Sequence, residues 1–108
     1  MPTTYKVLGQ VLPSATTATT LYTVPADTAT VVSTIKVANQ GVSTTFRIAV
    51  RVAGAALEEK QYVVWDAPLT ANDSISFTEG LTLAATDVLT VYAGTANLSF
   101  NVFGSELS

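Results

Sequence analysis

The run Ser43-Thr44-Thr45-Phe46-Arg47-Ile48-Ala49-Val50-Arg51-Val52 alternates along its length. Phe46, Ile48, Val50 and Val52 fall on one side, with Thr45, Arg47, Ala49 and Arg51 on the other. A period of two is the pattern of a strand with one face on a core and one in solvent. Phe46, Ile48 and Val50 are therefore expected inside, and Arg47 and Arg51 outside. Upstream, Thr28 to Ala38 alternates in the same way, with Val31, Ile35 and Val37 set against Val32, Thr34 and Lys36. Asn39-Gln40-Gly41 separates the two runs with residues that tolerate positive φ, which predicts a β-hairpin. In that hairpin Lys36, Arg47 and Arg51 would share the solvent face.

Working outward, similar runs recur at short intervals. Gln61 to Trp65 is rich in β-formers and is expected to stop at Asp66-Ala67-Pro68. Asn72-Asp73 opens a strand holding Ile75 and Phe77, which Glu79-Gly80 ends. Asp87 to Tyr92 and Leu98 to Phe103 flank Ala93-Gly94-Thr95-Ala96-Asn97, and a second hairpin is predicted there. Tyr5 to Leu8 and Thr20 to Val24 also read as strands, with Pro25 at the exit of the latter. Pro13 to Thr19 is a flexible connector rich in Ser, Ala and Thr, and Ala53 to Lys60 has room for a helical turn. The expectation is an all-β protein: one antiparallel β-sandwich domain over residues 1–108, jelly-roll-like, of about seven or eight strands. An N-terminal arm is expected over about residues 1–12. The pattern leaves the strand order open.

Composition narrows function. The chain has no histidine and no cysteine, and threonine supplies about one residue in six. Histidine is the side chain best suited to proton transfer near neutral pH, and cysteine is the strongest side-chain nucleophile and a soft metal ligand. No catalytic, metal-binding or cofactor-binding residue is therefore assigned, and no enzyme is expected. The formal charge is −3, with Lys6, Lys36, Arg47, Arg51 and Lys60 as the only cations. Five scattered cations do not make the basic face that nucleic acid requires. No apolar run reaches membrane-spanning length, and no leader segment is read at the N-terminus. Hydrophobic residues make up 48% and charged residues 12%, the opposite of a disordered composition. A surface covered by Thr, Ser, Ala and Asn costs little to desolvate, which suits packing against neighbours.

Asp27-Thr28-Ala29 invites comparison with the Asp-Thr-Gly turn of retroviral-type aspartic proteases. Ala29 stands where glycine is needed, however, and Pro25-Ala26 replaces the apolar strand, so the segment reads as a loop entering a strand. Glu58, Glu59, Asp66, Asp73, Glu79, Asp87 and Glu106 read mostly as turn or strand-boundary residues. Calcium at Asn72-Asp73 or Asp66 lacks the ligand alternation of an EF-hand. Asn72-Asp73-Ser74 and Asn97-Leu98-Ser99 match a glycosylation pattern that carries no weight without a leader. Trp65, the only tryptophan, lies beside Tyr62 and is expected in the core. The sharper alternatives for it are an interface anchor or a sugar-stacking platform.

Two segments carry a resemblance. Leu21-Tyr22-Thr23-Val24-Pro25-Ala26-Asp27-Thr28-Ala29-Thr30-Val31-Val32-Ser33-Thr34-Ile35 resembles the opening of small virion proteins of tailed bacteriophages. Leu83-Ala84-Ala85-Thr86-Asp87-Val88-Leu89-Thr90-Val91-Tyr92-Ala93-Gly94, continuing to Phe103-Gly104, resembles their closing hairpin. The likeness runs from about Tyr5 to Glu106. It implies a non-enzymatic virion component made in the host cytoplasm, above all a trimeric capsid decoration (cement) protein bridging copies of the major capsid protein. A tail, baseplate or fibre subunit is the alternative in the same class. A carbohydrate-binding β-sandwich for host adsorption is the alternative from another class. The candidate interface residues are Tyr5, Val7, Leu8, Arg47, Arg51, Tyr62 and Trp65. The arm before Pro13 is the candidate for strand exchange with a neighbour.

Overall fold

The alternating runs become nine strands in the computed structural model, which describes residues 2–108. They are β1 (Thr3–Val11), β2 (Thr19–Thr23), β3 (Ala29–Asn39), β4 (Thr44–Arg51), β5 (Tyr62–Leu69), β6 (Ser74–Phe77), β7 (Leu81–Leu83), β8 (Val88–Ala93) and β9 (Leu98–Leu107). Two short 3₁₀ turns, Val52–Gly54 and Glu59–Gln61, lie between β4 and β5. One sheet has the order β1-β9-β3-β6, with β7 also on β3; the other has the order β2-β8-β4-β5. All pairings are antiparallel. Counting β6 and β7 as one interrupted strand, the two orders are those of a jelly roll.

That topology corrects both expected hairpins. β3 and β4 lie in different sheets, and so do β8 and β9. Each connector is an arch that carries the chain across the core rather than a turn within one sheet. Alternation reveals that a strand has an apolar face, and two such faces are buried as well across a sandwich as side by side. Asn39 holds the first arch. Its side-chain amide donates to the carbonyls of Val42 (2.8 Å) and Leu69 (3.1 Å), and its Oδ1 accepts the Gly41 N–H (2.9 Å). Lys36 consequently faces away from one sheet, while Arg47 and Arg51 belong to the other. They do not share a face.

Bulges cause the remaining differences. The register of β3 on β9 shifts between Val32 and Thr34. Ile35 and Val37 therefore face inward as expected, but upstream Val32 is buried and Val31 exposed, the reverse of the reading from alternation. In β4, Phe46 and Ile48 are fully buried, Val50 is half-buried, and Val52 has left the strand and is exposed. β5 does not stop at Asp66 but continues through Pro68 to Leu69. It is an edge strand, where proline's missing N–H is tolerated.

The core fills the space between the sheets. Phe46 meets Phe77 and Phe100 edge-on, with ring centroids 5.9 and 6.0 Å away. Ile35, Val37, Ile48, Leu89, Val91, Leu98 and Val102 surround them.

The expected arm is not detached. Met1 lies outside the described residues, and residues 3–11 form β1, the edge strand paired with β9 from Thr3↔Leu107 to Val11↔Phe100. Three features fasten it. Leu8 turns inward at a bulge between Val7 and Gly9 and packs on the core. A Cβ at Gly9 would lie 2.2 Å from the Leu21 carbonyl oxygen, so only glycine permits this approach of β1 to β2. Lys6 Nζ lies 2.9 Å from Glu106 Oε1. The connector is also less free than its composition suggests, because Pro13 is buried and the Thr16 N–H donates to the Ala93 carbonyl (2.8 Å).

Candidate interaction surface

A bulge in β5 builds the most distinctive feature of the surface. β4 and β5 pair Phe46 with Ala67 and Ile48 with Val64, which leaves Arg47 alone opposite both Trp65 and Asp66. Asp66 takes φ 47°, in the left-handed region that Asp enters more readily than most residues. Both neighbours then reach the same guanidinium. Arg47 Nε donates to Asp66 Oδ1 at 2.6 Å and a terminal nitrogen donates to Oδ2 at 3.3 Å.

The guanidinium also packs between aromatic rings. Its carbon is 3.8 Å from the Trp65 ring centroid and 4.6 Å from that of Tyr92, the residue directly across from Arg47 on β8. Tyr62 completes the group with its ring 4.7 Å from Trp65 and nearly perpendicular to it. Trp65 remains 55% exposed. It is therefore not a core residue, contrary to expectation, because the bulge keeps it on the outer face. A shallow depression lined by Glu59, Tyr62 and Trp65 opens beside the group.

Charge is balanced locally. The hydrogen bond from Arg47 holds Asp66 below the ordinary carboxylate range, against an opposing effect of burial. The same hydrogen bond raises the Arg47 pKa further. The pair is ionised throughout the neutral range, and its net contribution to the field is close to nil.

No family model matches the chain, and no curated protein matches it.

Five of the seven candidate interface residues divide between two opposite faces. Arg47, Tyr62 and Trp65 come together on the outer face of the β2-β8-β4-β5 sheet. Arg51 does not join them, because it donates to the carbonyls of Ala55 (2.7 Å) and Gly54 (3.0 Å) and so fixes the loop after β4. Tyr5 (83% exposed) and Val7 lie on the outer face of the other sheet, and Leu8 is tucked beneath them. On that face Tyr5 stands opposite Ser105 and Ser105 opposite Val31, while Val7 stands opposite Phe103 and Phe103 opposite Thr34. Tyr5, Val7, Val31 and Phe103 are thus four exposed apolar side chains on two neighbouring rungs. Val31 and Phe103 were missed because alternation placed Val31 inside and the closing strand was read to end at Phe103. Asp66 and Tyr92 were missed as members of the aromatic group.

Two further carboxylates, Asp87 and Glu106, are engaged in the architecture. Asp87 accepts the backbone N–H groups of Ala53 and Ala84, each at 2.9 Å. Glu106 accepts the Tyr22 hydroxyl, which also contacts Thr30 Oγ1 at 2.9 Å. Asp27 occupies an exposed turn between β2 and β3 at φ 57°. Among the described residues, no three Asp, Glu, His or Cys side chains converge as a metal site would need.

Proposed function

We propose that this chain is a non-catalytic structural protein of a tailed-phage particle, acting as a capsid decoration (cement) protein that assembles as a trimer and bridges neighbouring copies of the major capsid protein. The observation that carries this reading is the outer face of the β1-β9-β3 sheet. Tyr5, Val7, Val31 and Phe103 are exposed together there, ringed by Thr34, Asn101 and Ser105, with Lys36 as the nearby cation. Such a face loses little solvation when covered, and beside it runs the open edge of β1, whose unpaired backbone groups can extend a neighbour's sheet. A standard interface hides about 1,200–2,000 Å² in total. Several such contacts per trimer raise avidity well beyond that of one.

The non-catalytic part of the reading is supported by the placement of the carboxylates. Asp66, Asp87 and Glu106 are committed to Arg47, to backbone donors, and to Tyr22 with Lys6.

The test is electron cryomicroscopy of purified particles in which this chain carries a gold-labelled tag. Label on the capsid lattice at a three-fold position is the expected result. Label on the tail or baseplate would replace cement with the tail reading, and particles without the chain would overturn the proposal.

A further inference from the structure

The group around Trp65 lies on the face opposite the one assigned to assembly, and that assignment does not use it. We propose that Trp65, Tyr62 and Glu59 form a binding site for neutral saccharide, with the Arg47–Asp66 pair as its support. The proposal does not rest on the particle reading.

Charge decides the class of ligand. An ammonium ligand would seek the aromatic faces, but Arg47 already occupies one face of Trp65, 3.8 Å from its ring centroid, and closes that face to a second cation. A phosphate or carboxylate ligand would meet Glu59 at the depression, and the nearby guanidinium of Arg47 is already bound to Asp66 through two of its nitrogens. A sugar ring avoids both penalties because it is uncharged. Its C–H face stacks on an exposed indole, and its hydroxyls donate to carboxylate oxygens at the rim. Glu59 is exposed at the edge of the depression, and no shared hydrogen bond occupies its carboxylate among the described residues.

The support is built in advance. Trp65 is held by Arg47 on one side and Tyr62 on another, and Arg47 is held by Asp66 and Tyr92. An aromatic fixed before the ligand arrives loses little side-chain freedom on binding.

The isolated chain supplies its own reporter, since Trp65 is the only tryptophan. The experiment titrates it with neutral hexasaccharides of glucose, N-acetylglucosamine, galactose and mannose, and with tetramethylammonium and inorganic phosphate. Emission and calorimetry are read together. The expected result is saturable binding of at least one hexasaccharide and of neither ion. Trp65→Ala should abolish it, and Glu59→Gln and Tyr62→Ala should each weaken it tenfold or more. Trp65→Phe should retain part of it, and Tyr5→Ala, on the opposite face, should leave it unchanged. Far-ultraviolet circular dichroism checks that each variant folds. Four results would overturn the proposal: no hexasaccharide binds, binding survives Trp65→Ala, an ion saturates the site instead, or sedimentation shows self-association that Trp65→Ala abolishes.

Discussion

Tyr22 and Glu106 are separated by 84 positions and lie in different sheets, yet the tyrosine hydroxyl donates to the glutamate carboxylate. Lys6 reaches the other oxygen of that carboxylate from β1, so one carboxylate ties the two sheets together and fastens the edge strand. Both titrations defend the arrangement. Burial first, and then the bond to Glu106, push Tyr22 up from 10.0 to about 12. The bonds from Tyr22 first, and then Lys6, hold Glu106 below its ordinary value of 4.5.

The sign follows for each group. The carboxylate's stabilisation is full above its unfolded pKa near 4.5 and is lost as pH falls through the lower folded value. The neutral tyrosine's stabilisation is full below 10.0 and is lost as pH rises through about 12. Tyr22→Phe should therefore cost about 1.5–3 kcal/mol at neutral pH, in the range of a hydrogen bond to a charged group. Urea denaturation of both proteins at acid, neutral and alkaline pH checks this, and the gap between them should narrow at both extremes.

Phe46→Ala should cost about 3–5 kcal/mol, because it empties a site fully closed off from solvent between Phe77 and Phe100. Arg47→Ala should shift the denaturation midpoint far less and should instead change the emission of Trp65. A larger loss from Arg47 than from Phe46 would mean the strand faces the other way.

Asn39→Ala should destabilise strongly, at about 1–3 kcal/mol for each buried group it leaves without a partner. The buried group at stake is the Leu69 carbonyl; the Val42 carbonyl and the Gly41 N–H are only part-buried and add less. Asn39→Asp keeps the bond from Gly41 but turns a charged oxygen towards two carbonyls, so its defect should lessen on acidification. Thermal melts of the three proteins across pH measure both effects.

Lowering the pH should release Arg47 from Asp66. The group's contribution is present above the ordinary value of 3.8 and is lost as pH falls through a lower one. An acid titration of Trp65 emission should show a midpoint below 3.8 in the native protein, and Asp66→Asn should remove that transition.

On the function proposed above, attachment to particles should depend on the apolar rungs and withstand salt. Tyr5→Glu combined with Val7→Glu should abolish occupancy on purified particles, since each introduces a charge into a face that is covered on binding. Molar salt should leave the native protein in place, because screening acts on charges and this face holds few. Release by salt alone would identify ion pairs as the binding force.

Every strand but β7 could be read from the chain, and so could the inward face of Phe46, Ile48, Ile35 and Val37. Their partners could not. The connectors after Asn39 and after Ala93 are short and rich in turn residues, and such segments serve a hairpin or an arch equally well. Trp65 shows the second limit. Its exposure depends on a single extra residue in β5, and nothing in Tyr62-Val63-Val64-Trp65 reveals that Asp66 will adopt positive φ. Pro68's missing N–H would stop a central strand, but β5 lies at an edge, where that N–H has no partner to lose.

Among the described residues, β4 and β5 are the only strands that follow one another in the chain and also share a ladder. Every other pairing joins distant segments, as when β1 closes on β9 and β2 on β8. Loop-closure entropy must be met before those contacts stabilise anything, so the chain belongs with slow folders, on the order of milliseconds to seconds. The β4–β5 unit is the piece able to form early, and its bulge brings Arg47, Trp65 and Asp66 together within that unit alone. Emission from Trp65 should therefore approach its native value before the β1–β9 ladder acquires protection from hydrogen exchange.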